Sequence, residues 1–387
     1  MDLHEKYGLR RVINAYDKAT FLGGARVLPE IAELVCAGLG EVFEIAELQA
    51  VAGRIIAENT SAQSGCVTAC AAAAITLNVA ACMTGTDRDR IAQLPDTAGM
   101  PGRVVIQQGH CVNFGAPVAQ MIRLSGAQVV AVGTDERCRA EDVEQALANE
   151  QALANEQALA SERGLDDQVA AVVAVESHHT ASYDGLGIAE LAEVAHAHGV
   201  PLVVDAATQE LRLREIVTMG PDLVGCSAHK YFGSTTAGII AGRSDLVDAV
   251  LLHNAGIGRG MKVGKEGILG VIAAFDAPMW RDTESWSRNE RRKAERIMER
   301  LAGIPGLQAT LSPDPNGCPF DRVRLGLDSS AAHTAGSLRE ALLEGDPAIH
   351  IRVYGYEPDA AYLNTTEMTD AEIETLCERI AATARPT

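Results

Sequence analysis

Short strand-like runs alternate with helix-patterned segments between about Ala69 and Gly270, and this alternation constrains the fold more than any other feature. Val169 to Val175 reads VAAVVAV, the pattern of a strand that is buried on both faces. Apolar residues then recur at helical spacing from Ile188 to Ala195, Gly199 marks a helix end, and Val200 to Val204 predicts the next strand. Repeated units of this kind predict an α/β domain built on a mainly parallel sheet.

Four further segments carry a strand pattern, and one carries the pattern of a core helix. The further strands are predicted at Arg103 to Gln107, Gln128 to Val132, Asp222 to Cys226 and Ala237 to Ala241. Val67 to Met83 is apolar on every side, which is typical of a buried helix, and it is too short and too rich in alanine to favour a membrane span. No membrane partner is therefore expected.

The character of the chain changes beyond Trp280. A charged helix is predicted over Glu284 to Leu301, followed by turns near Pro305 and over Pro313 to Pro319, then by two short strands and two helices. This order predicts a second, smaller α+β domain. The predicted domains are an N-terminal segment that packs with the small domain (residues 1–50), a large domain (51–255) and the small C-terminal domain (256–387).

A near-exact repeat occupies Glu144 to Glu162, where a six-residue unit built on EQALAN occurs three times. Six residues of an α-helix turn through about 600°, so Leu147, Leu153 and Leu159 would point in three different directions. The repeat therefore predicts a surface helix lengthened by duplication, and it excludes a coiled-coil seam or a solenoid.

Acidic residues outnumber basic residues by 52 to 33, and the formal net charge is −19. Nucleic acids are bound mainly through clustered cations, so this balance argues against a nucleic-acid partner. The nine cysteines form no CxxC pair, which favours buried thiols in a reducing compartment, and the first residues lack an apolar leader pattern. These features predict a cytoplasmic protein.

Two charged residues follow neighbouring predicted strands. Asp205 ends the strand VPLVV, and Lys230 lies in the segment SAHK directly after the strand at Asp222 to Cys226. Parallel strands end at one edge of a sheet, where open α/β sheets bind ligands. These two groups suit pyridoxal phosphate: a lysine bonds to its aldehyde, and a carboxylate keeps its pyridine nitrogen protonated. The structural alternative to a cofactor site is that Asp205 caps a helix and Lys230 is solvated.

Four segments carry a family resemblance that extends over nearly the whole chain. They are RVINAYDKATFLGG (Arg11 to Gly24), NTSAQSGCVTACAAA (Asn59 to Ala73), SAHK (Ser227 to Lys230) and GIGRGMKVGKEGI (Gly256 to Ile268). They resemble fold type I pyridoxal phosphate enzymes, and within them the group containing bacterial selenocysteine synthase and D-glucosaminate-6-phosphate ammonia lyase. The resemblance implies a mainly parallel seven-stranded sheet in a large cofactor-binding domain, a smaller α+β C-terminal domain, and pyridoxal 5'-phosphate as cofactor.

The resemblance also implies the reaction. Lys230 is expected to remove the Cα proton of a hydroxylated amino acid or amino sugar acid, and Asp205 to stabilise the charge that develops on the cofactor. Expulsion of a β-substituent would then release ammonia and a 2-keto acid. Other readings are a racemase or aldolase acting on the same bound substrate, a seryl-tRNA selenium transferase, which the acidic composition disfavours, and a non-catalytic cofactor-binding protein.

Residues before the apolar helix are candidates for binding the cofactor phosphate. Ser64, Gly65 and Cys66 would offer backbone N–H groups at the positive end of the helix dipole, although Ser64 could equally be a simple helix cap. Ser227 could add a hydroxyl group from the SAHK segment.

Four histidines follow predicted strands or lie beside the lysine. His110 follows one strand, and the resemblance implies a ring there that stacks on the cofactor; a structural histidine is the alternative. The pair His178 and His179 follows another strand, and His179 is a candidate catalytic residue. His229, which precedes Lys230 in the SAHK segment, is a candidate for binding the cofactor. Because adjacent histidines are expected to point apart, no metal site is predicted.

Four basic residues are candidates for binding an anionic small-molecule substrate. Arg259, Lys262 and Lys265 lie in one short loop, where a solvated loop is the alternative, and either lysine could replace Lys230 as the cofactor-binding residue. The resemblance implies that Arg352, on a predicted strand, binds a substrate carboxylate; a structural ion pair is the alternative. Related fold type I enzymes build each site across a subunit interface, which implies a homodimer or a larger homo-oligomer.

Overall fold

The structure, a computed structural model, describes residues 2–157 and 167–384. The chain divides into two compact units. The larger unit is Val27–Trp280, and the smaller unit combines Met1–Arg26 with Arg281–Thr387. The short helix α12 (Pro278–Arg281) contains the boundary between them.

The larger unit is built on a seven-stranded sheet. Its strands are β2 (Ser64–Thr68), β3 (Arg103–Gln107), β4 (Gln128–Val132), β5 (Val169–Val175), β6 (Leu202–Asp205), β7 (Leu223–Ser227) and β8 (Gly238–Gly242). They lie in the order β2, β8, β7, β6, β5, β3, β4. Strand β8 runs antiparallel to both β2 and β7, and the other neighbours are parallel. The prediction of a mainly parallel seven-stranded sheet is confirmed.

Most of these strands lie where the sequence predicts them. Strands β3, β4 and β5 have the predicted bounds, and β6, β7 and β8 are displaced by one or two residues at their ends. Every residue of β7 and β8 is buried, as are all but the first residue of β5. A strand that is covered on both faces needs apolar residues at every position, and the resulting continuous runs are easily recognised.

Helices cover both faces of this sheet. On one face Val172 of β5 packs in a hydrophobic cluster with Leu191, and on the other face its neighbour Val173 packs in a second cluster with Val79. The helices of the larger unit are α2 (Pro29–Leu39), α3 (Ile45–Thr60), α4 (Ala71–Thr84), α5 (Arg88–Gln93), α6 (Val118–Arg123), α7 (Ala140–Gln157), α8 (Ile188–Ala197), α9 (Leu213–Thr218), α10 (Ser244–Leu252) and α11 (Lys265–Ala274).

The predicted helix over Val67 to Met83 is wrong at its beginning. Ser64–Thr68 forms strand β2, which pairs antiparallel with β8, and helix α4 starts only at Ala71. Gly65 allows this strand to pack closely, because a Cβ at that position would lie 2.4 Å from Cγ2 of Ile56. A short apolar run is compatible with either a buried strand or a buried helix, so periodicity alone could not separate the two.

Helix α3 lies against β2 at a distance that only glycine permits. A Cβ on Gly53 would lie 2.4 Å from the carbonyl oxygen of Gly65, which is backbone and cannot rotate away. We expect Gly53→Ala to lower the free energy of unfolding by about 2 kcal/mol, although alanine is the better helix former. Urea denaturation measures this change. Gly40→Ala is the control, since its Cβ would lie 3.6 Å from the nearest atom, and an equal effect in both variants would contradict the argument.

The units do not divide where the sequence predicts the domains. Residues 27–50 and 256–280 belong to the larger unit, whereas the sequence predicts them in the N-terminal segment and in the small domain. The reason is that α2, α3 and α11 share one hydrophobic cluster of the larger unit, through residues such as Ile31, Leu48 and Ile268. Of the predicted N-terminal segment, the residues that precede Val27 belong to the smaller unit, where β1 (Val12–Ala15) pairs with a strand of its sheet.

The smaller unit has a five-stranded sheet and is of the α+β type, as predicted. Its other strands are β9 (Leu307–Pro313), β10 (Asp321–Leu327), β11 (Ala348–Val353) and β12 (Ala360–Leu363), in the order β1, β11, β12, β10, β9. Its helices are α1 (Leu3–Tyr7), α13 (Thr283–Leu301), α14 (Ala335–Glu344) and α15 (Asp370–Thr383). Four strands follow α13 instead of the predicted two. One of them, β9, occupies part of the segment whose prolines and glycines predict turns.

The six-residue repeat begins inside α7. Leu147 is 1% exposed and packs in a core cluster, so this first leucine faces the protein interior and not solvent. Leu153 and Leu159 lie outside the side chains that the structure describes.

Candidate active site

The loop between β7 and β8 carries Lys230 at the carboxyl edge of the parallel strands. Strand β7 ends at Ser227, and the chain then turns back on itself. The Gly233 N–H donates to the Lys230 carbonyl oxygen (3.1 Å), and the Ser234 N–H donates to the Ala228 carbonyl oxygen (3.1 Å). These bonds fix the backbone of Lys230, which is partly buried.

Asp205 is the last residue of β6, the strand next to β7, and it is 5% exposed. Its Oδ1 accepts no hydrogen bond from the residues that the structure describes. Burial raises the pKa of Asp205 to about 6, although the charge of Lys230 and the N–H of Ala207 act to lower it. The structure thus brings Asp205 and Lys230 together. A buried carboxylate oxygen without a partner, at the edge where such sheets bind ligands, fits the protonated ring nitrogen of pyridoxal phosphate.

Glu210 is a buried residue of this region that the sequence did not reveal. It begins a 3₁₀ helix (Glu210–Arg212) shortly after β6, and it is fully buried. Its Oε1 accepts the N–H of Tyr231 at 3.1 Å, directly after Lys230 in the chain. Glu210 therefore helps to hold the backbone of the lysine turn. In the sequence it is one more acid in an acidic protein, without a motif to mark it.

His110 ends a 3₁₀ helix (Gln108–His110) directly after β3 and is 7% exposed. Its Nδ1 accepts the N–H of Val175 at 3.0 Å, and the edge of its ring meets Tyr183 at a centroid distance of 5.8 Å. Burial lowers the pKa of His110 to about 4, so the ring is neutral near pH 7. A neutral ring suits stacking on a cofactor, and the low pKa makes His110 a weak proton acceptor.

His178 and His179 lie in the turn that follows β5. Their ring centroids are 4.0 Å apart with an angle of 35° between the planes, so the expectation that these histidines point apart is wrong. The turn bends the chain and brings the consecutive rings to the same side. His179 is exposed and His178 is partly buried. In the part of the chain that the structure describes, no cluster of three His, Cys, Asp or Glu side chains is suited to a metal ion.

The residues predicted to bind the phosphate do not begin a helix, because they lie within β2; they are Ser64, Gly65 and Cys66. The residues that lead into α4 are instead Thr68 and Cys70. Thr68 is 4% exposed, and within residues 2–157 and 167–384 its Oγ1 has no hydrogen-bond partner. Cys70 caps the helix, with its Sγ accepting the Ala73 N–H at 3.5 Å. An unpartnered hydroxyl beside a helix N-terminus fits a phosphate group.

Ser227 and His229 flank the lysine turn and are held by the backbone. Ser227 is 2% exposed, and its N–H donates to the Ala207 carbonyl oxygen at 3.2 Å. Nδ1 of His229 lies 3.3 Å from the carbonyl oxygen of Ala237. Burial lowers the pKa of His229. Both residues are therefore in place to shape the loop around Lys230.

The three cations of the loop before α11 have different surroundings. Arg259 and Lys262 are exposed. Lys265 begins α11, and its Nζ donates to the carbonyl oxygens of Leu39 (2.9 Å) and Glu41 (2.5 Å). These carbonyls lie at the end of α2, so Lys265 caps that helix, a structural role that the charge pattern did not indicate.

Arg352 lies on β11 in the smaller unit. Its Nη1 is 3.1 Å from Oδ2 of Asp17, and its guanidinium lies between the rings of Tyr16 (4.7 Å) and Tyr354 (4.9 Å). Asp17 also pairs with the buried Arg322 at 2.7 Å. The two arginines lower the pKa of Asp17 against the opposing effect of burial, which is the largest influence. Arg352 thus forms an ion pair with Asp17 inside the smaller unit, as the structural alternative to carboxylate binding expects.

Comparisons with known proteins show which family and which enzymes this chain is similar to. A family model described as SelA: L-seryl-tRNA selenium transferase matches residues 47–285. D-glucosaminate-6-phosphate ammonia lyase of Salmonella typhimurium (strain 14028s / SGSC 2262) is 31% identical over 380 residues, which are 98% of this chain and 97% of that protein. A 5'-C-glycyluridine monooxygenase-decarboxylase of Streptomyces sp is 34% identical over 352 residues, which are 90% of this chain and 84% of that protein.

Solved structures give the same result. The structure of D-glucosaminate-6-phosphate ammonia lyase matches with a TM-score of 0.84 and 30% identity over 99% of both chains. A structure of SPT with PLP matches with a TM-score of 0.56 and 13% identity over 96% of this chain and 87% of that one, which shows a shared fold. No helix among the described residues is long and apolar enough to cross a membrane. The resemblance, the fold and the cofactor are confirmed, and the chain belongs to the L-seryl-tRNA selenium transferase family of fold type I pyridoxal phosphate enzymes.

Proposed function

We propose that this chain is a pyridoxal phosphate-dependent lyase that acts on a hydroxylated amino acid or amino sugar acid. It removes the Cα proton and expels a β-substituent. The enamine that is left tautomerises to an imine, and water hydrolyses this imine to ammonia and a 2-keto acid. The observation that carries the proposal is the likeness to D-glucosaminate-6-phosphate ammonia lyase over 98% of this chain, together with Asp205 and Lys230 at one sheet edge. The selenium transferase model, by contrast, matches only residues 47–285.

Residues of the larger unit would hold the cofactor. Lys230 is the residue for the covalent attachment, Asp205 for the ring nitrogen and His110 for the ring face. The phosphate is assigned to the Oγ1 of Thr68 and to the backbone N–H groups at the start of α4. When bound, the cofactor supplies an electron sink for the charge left at Cα.

The chain's own residues then handle the proton and the charge. Lys230 accepts the Cα proton at Nζ, since its amine lies at the end of a flexible side chain above a fixed backbone. Asp205 keeps its negative charge beside the ring nitrogen, and this attraction grows as negative charge develops in the reaction. The exposed cations Arg259 and Lys262 are proposed to bind the anionic end of the substrate.

A second candidate reaction is an oxygen-dependent decarboxylation, which the 34% identity to the Streptomyces monooxygenase-decarboxylase favours. The two reactions have different products. The test is to incubate the purified protein with D-glucosaminate 6-phosphate and with D- and L-hydroxy amino acids, with and without oxygen. We expect equal amounts of ammonia and 2-keto acid, independent of oxygen. Carbon dioxide release that requires oxygen would replace the lyase by the second reaction, and an inverted amino acid or an aldehyde would indicate a racemase or an aldolase.

We also propose a homodimer or a larger homo-oligomer, because one stretch of the larger unit exposes several apolar side chains. The exposed fractions are 51% for Leu39 at the end of α2, 96% for Val42 in the connection to α3, and 45% for Ile45 at the start of α3. Exposed apolar groups that cluster in this way are typical of contact surfaces between subunits.

We expect light scattering to give a mass of at least two chains for the protein and a smaller average mass for Val42→Glu, since a buried charge opposes association. Leu124→Glu is the control. Leu124 is 50% exposed at the end of α6, on the opposite face of the sheet from α2. A fully active monomer would contradict the proposal.

The environment of the cysteines supports the proposed cytoplasmic location. All nine are free, with five buried, three partly buried and Cys36 exposed. Thiols that remain unpaired are the rule in a reducing compartment.

A further inference from the structure

A short turn joins β2 to α4, and in this turn Cys70 caps the helix. The backbone of Cys70 is extended, and its Sγ accepts the Ala73 N–H at 3.5 Å. Its carbonyl oxygen accepts the Ala74 N–H at 3.0 Å. The sulfur therefore lies in front of the first turn of α4, where a helix offers N–H groups that have no acceptor within the helix. Cys70 is only partly buried, so solvent reaches this turn.

The side chain of Thr68 marks the same place independently. Thr68 is 4% exposed, and its Oγ1 has no hydrogen-bond partner among the described residues. A Cβ on Gly238 would lie 2.9 Å from Cγ2 of Thr68 and 2.5 Å from the carbonyl oxygen of Cys70, so the Thr68 side chain and the Cys70 backbone meet at one glycine. A buried hydroxyl without a partner, beside a helix N-terminus, indicates an anion that accepts hydrogen bonds from both.

We propose that Cys70 is a modification site, and that an anion bound at the start of α4 shields it from thiol reagents. The anion and the sulfur use the same N–H groups, because Sγ already accepts that of Ala73. A group attached to Sγ would occupy the place of the anion, and a bound anion would cover the sulfur. The identification of this anion as the cofactor phosphate rests on the proposed function.

The reaction at Cys70 is the alkylation of a thiol. With iodoacetamide, Sγ attacks the methylene carbon, a C–S bond forms as the C–I bond breaks, iodide leaves, and the thiol proton passes to solvent. The thiolate is the reacting form of a cysteine. Burial raises the pKa of Cys66 to about 12 and also raises that of Cys111, so these two thiols should react slowly.

The test follows the alkylation of each cysteine by mass spectrometry in the full-length protein, freed of cofactor and then mixed with pyridoxal 5'-phosphate or inorganic phosphate. A ligand at ten times its Kd leaves about one tenth of the sites open, so pyridoxal 5'-phosphate should slow the alkylation of Cys70 by about tenfold. Inorganic phosphate should slow it in a concentration-dependent way. Pyridoxal fixed to Lys230 by borohydride has no phosphate and should not slow it. Cys36, exposed on α2, is the internal control, and its rate should be the same in every sample.

Cys70→Ser is the matched variant, because serine also caps a helix and iodoacetamide does not alkylate its hydroxyl under these conditions. Alkylated wild-type protein should lose its binding of pyridoxal 5'-phosphate, whereas the same treatment should not change binding in Cys70→Ser. Equal rates at Cys70 with and without pyridoxal 5'-phosphate, equal protection by pyridoxal, or a loss of binding in treated Cys70→Ser would overturn the inference. If Cys70→Ser does not fold, the rates at Cys70 in the wild type decide alone.

None of these measurements is turnover, so they separate this inference from the proposed reaction. Protection of Cys70 by phosphate in a protein that releases no ammonia would leave the modification site in place and remove the proposed function.

Discussion

Replacing Asp205 by Asn should lower turnover by about a hundredfold or more, the scale for losing an electrostatic partner of a transition state. Asparagine keeps the size of the side chain and removes the charge that would hold a proton on the ring nitrogen. The cofactor should still bind, because Lys230 and the start of α4 are unchanged. Steady-state kinetics and the cofactor content of the purified variant measure the two effects. Turnover near that of the wild type would show that another residue faces the nitrogen.

The same variant should make the cofactor-free protein more stable at neutral pH. The pKa of Asp205 is raised from 3.8 to about 6 in the folded state, so its favourable contribution is present below pH 3.8 and is lost as the pH rises through 6. Above that pH the buried charge costs up to about 3 kcal/mol, which follows from a shift of about two pKa units. Thermal unfolding of the cofactor-free proteins at pH 7.5 and pH 4 should show a gain for Asp205→Asn only at the higher pH.

Asp222→Asn is the control for this stability effect. Asp222 is 4% exposed and lies just before β7, at the opposite end of that strand from Lys230. Its carboxylate is paired with Arg243 at 2.8 Å and accepts the Leu202 N–H at 2.7 Å. Removing a paired charge should destabilise the protein. A gain in stability from both variants would show that the effect does not depend on the unpaired Oδ1 of Asp205.

Lys230→Ala should abolish the covalent attachment of the cofactor and lower turnover by at least about a thousandfold, since one side chain provides both the attachment and the proton acceptor. The absorbance band of the attached cofactor in the visible region should disappear. Lys262→Met is the control, because Lys262 is exposed in another loop, and it should keep the band. A band that persists in Lys230→Ala and disappears in Lys262→Met would move the attachment to the glycine-rich loop.

The strands whose residues are all buried could be predicted from the sequence. The central strands are buried on both faces, so their continuous apolar runs were unambiguous. Asp205 and Lys230 could be brought together in advance because parallel strands end at a common edge. The same argument located His110.

The features that the sequence did not predict depend on contacts between distant segments. Ser64–Thr68 becomes a strand because β8 lies beside it, and an isolated apolar run does not show its partner. Lys265 donates hydrogen bonds to carbonyl oxygens at the end of α2, which lie more than two hundred residues away in the chain. Glu210 is placed below the lysine turn by a 3₁₀ helix. Charge and periodicity along the chain carry no information on such pairings.

The most direct test of the account is to identify the residue that carries the cofactor. The purified protein is reduced with borohydride, which makes the attachment permanent, and is then digested and mapped by mass spectrometry. We predict the modified peptide at Lys230, in the loop between β7 and β8 near Asp205. A modification at Lys262 or Lys265, or no modification of any lysine, would contradict it.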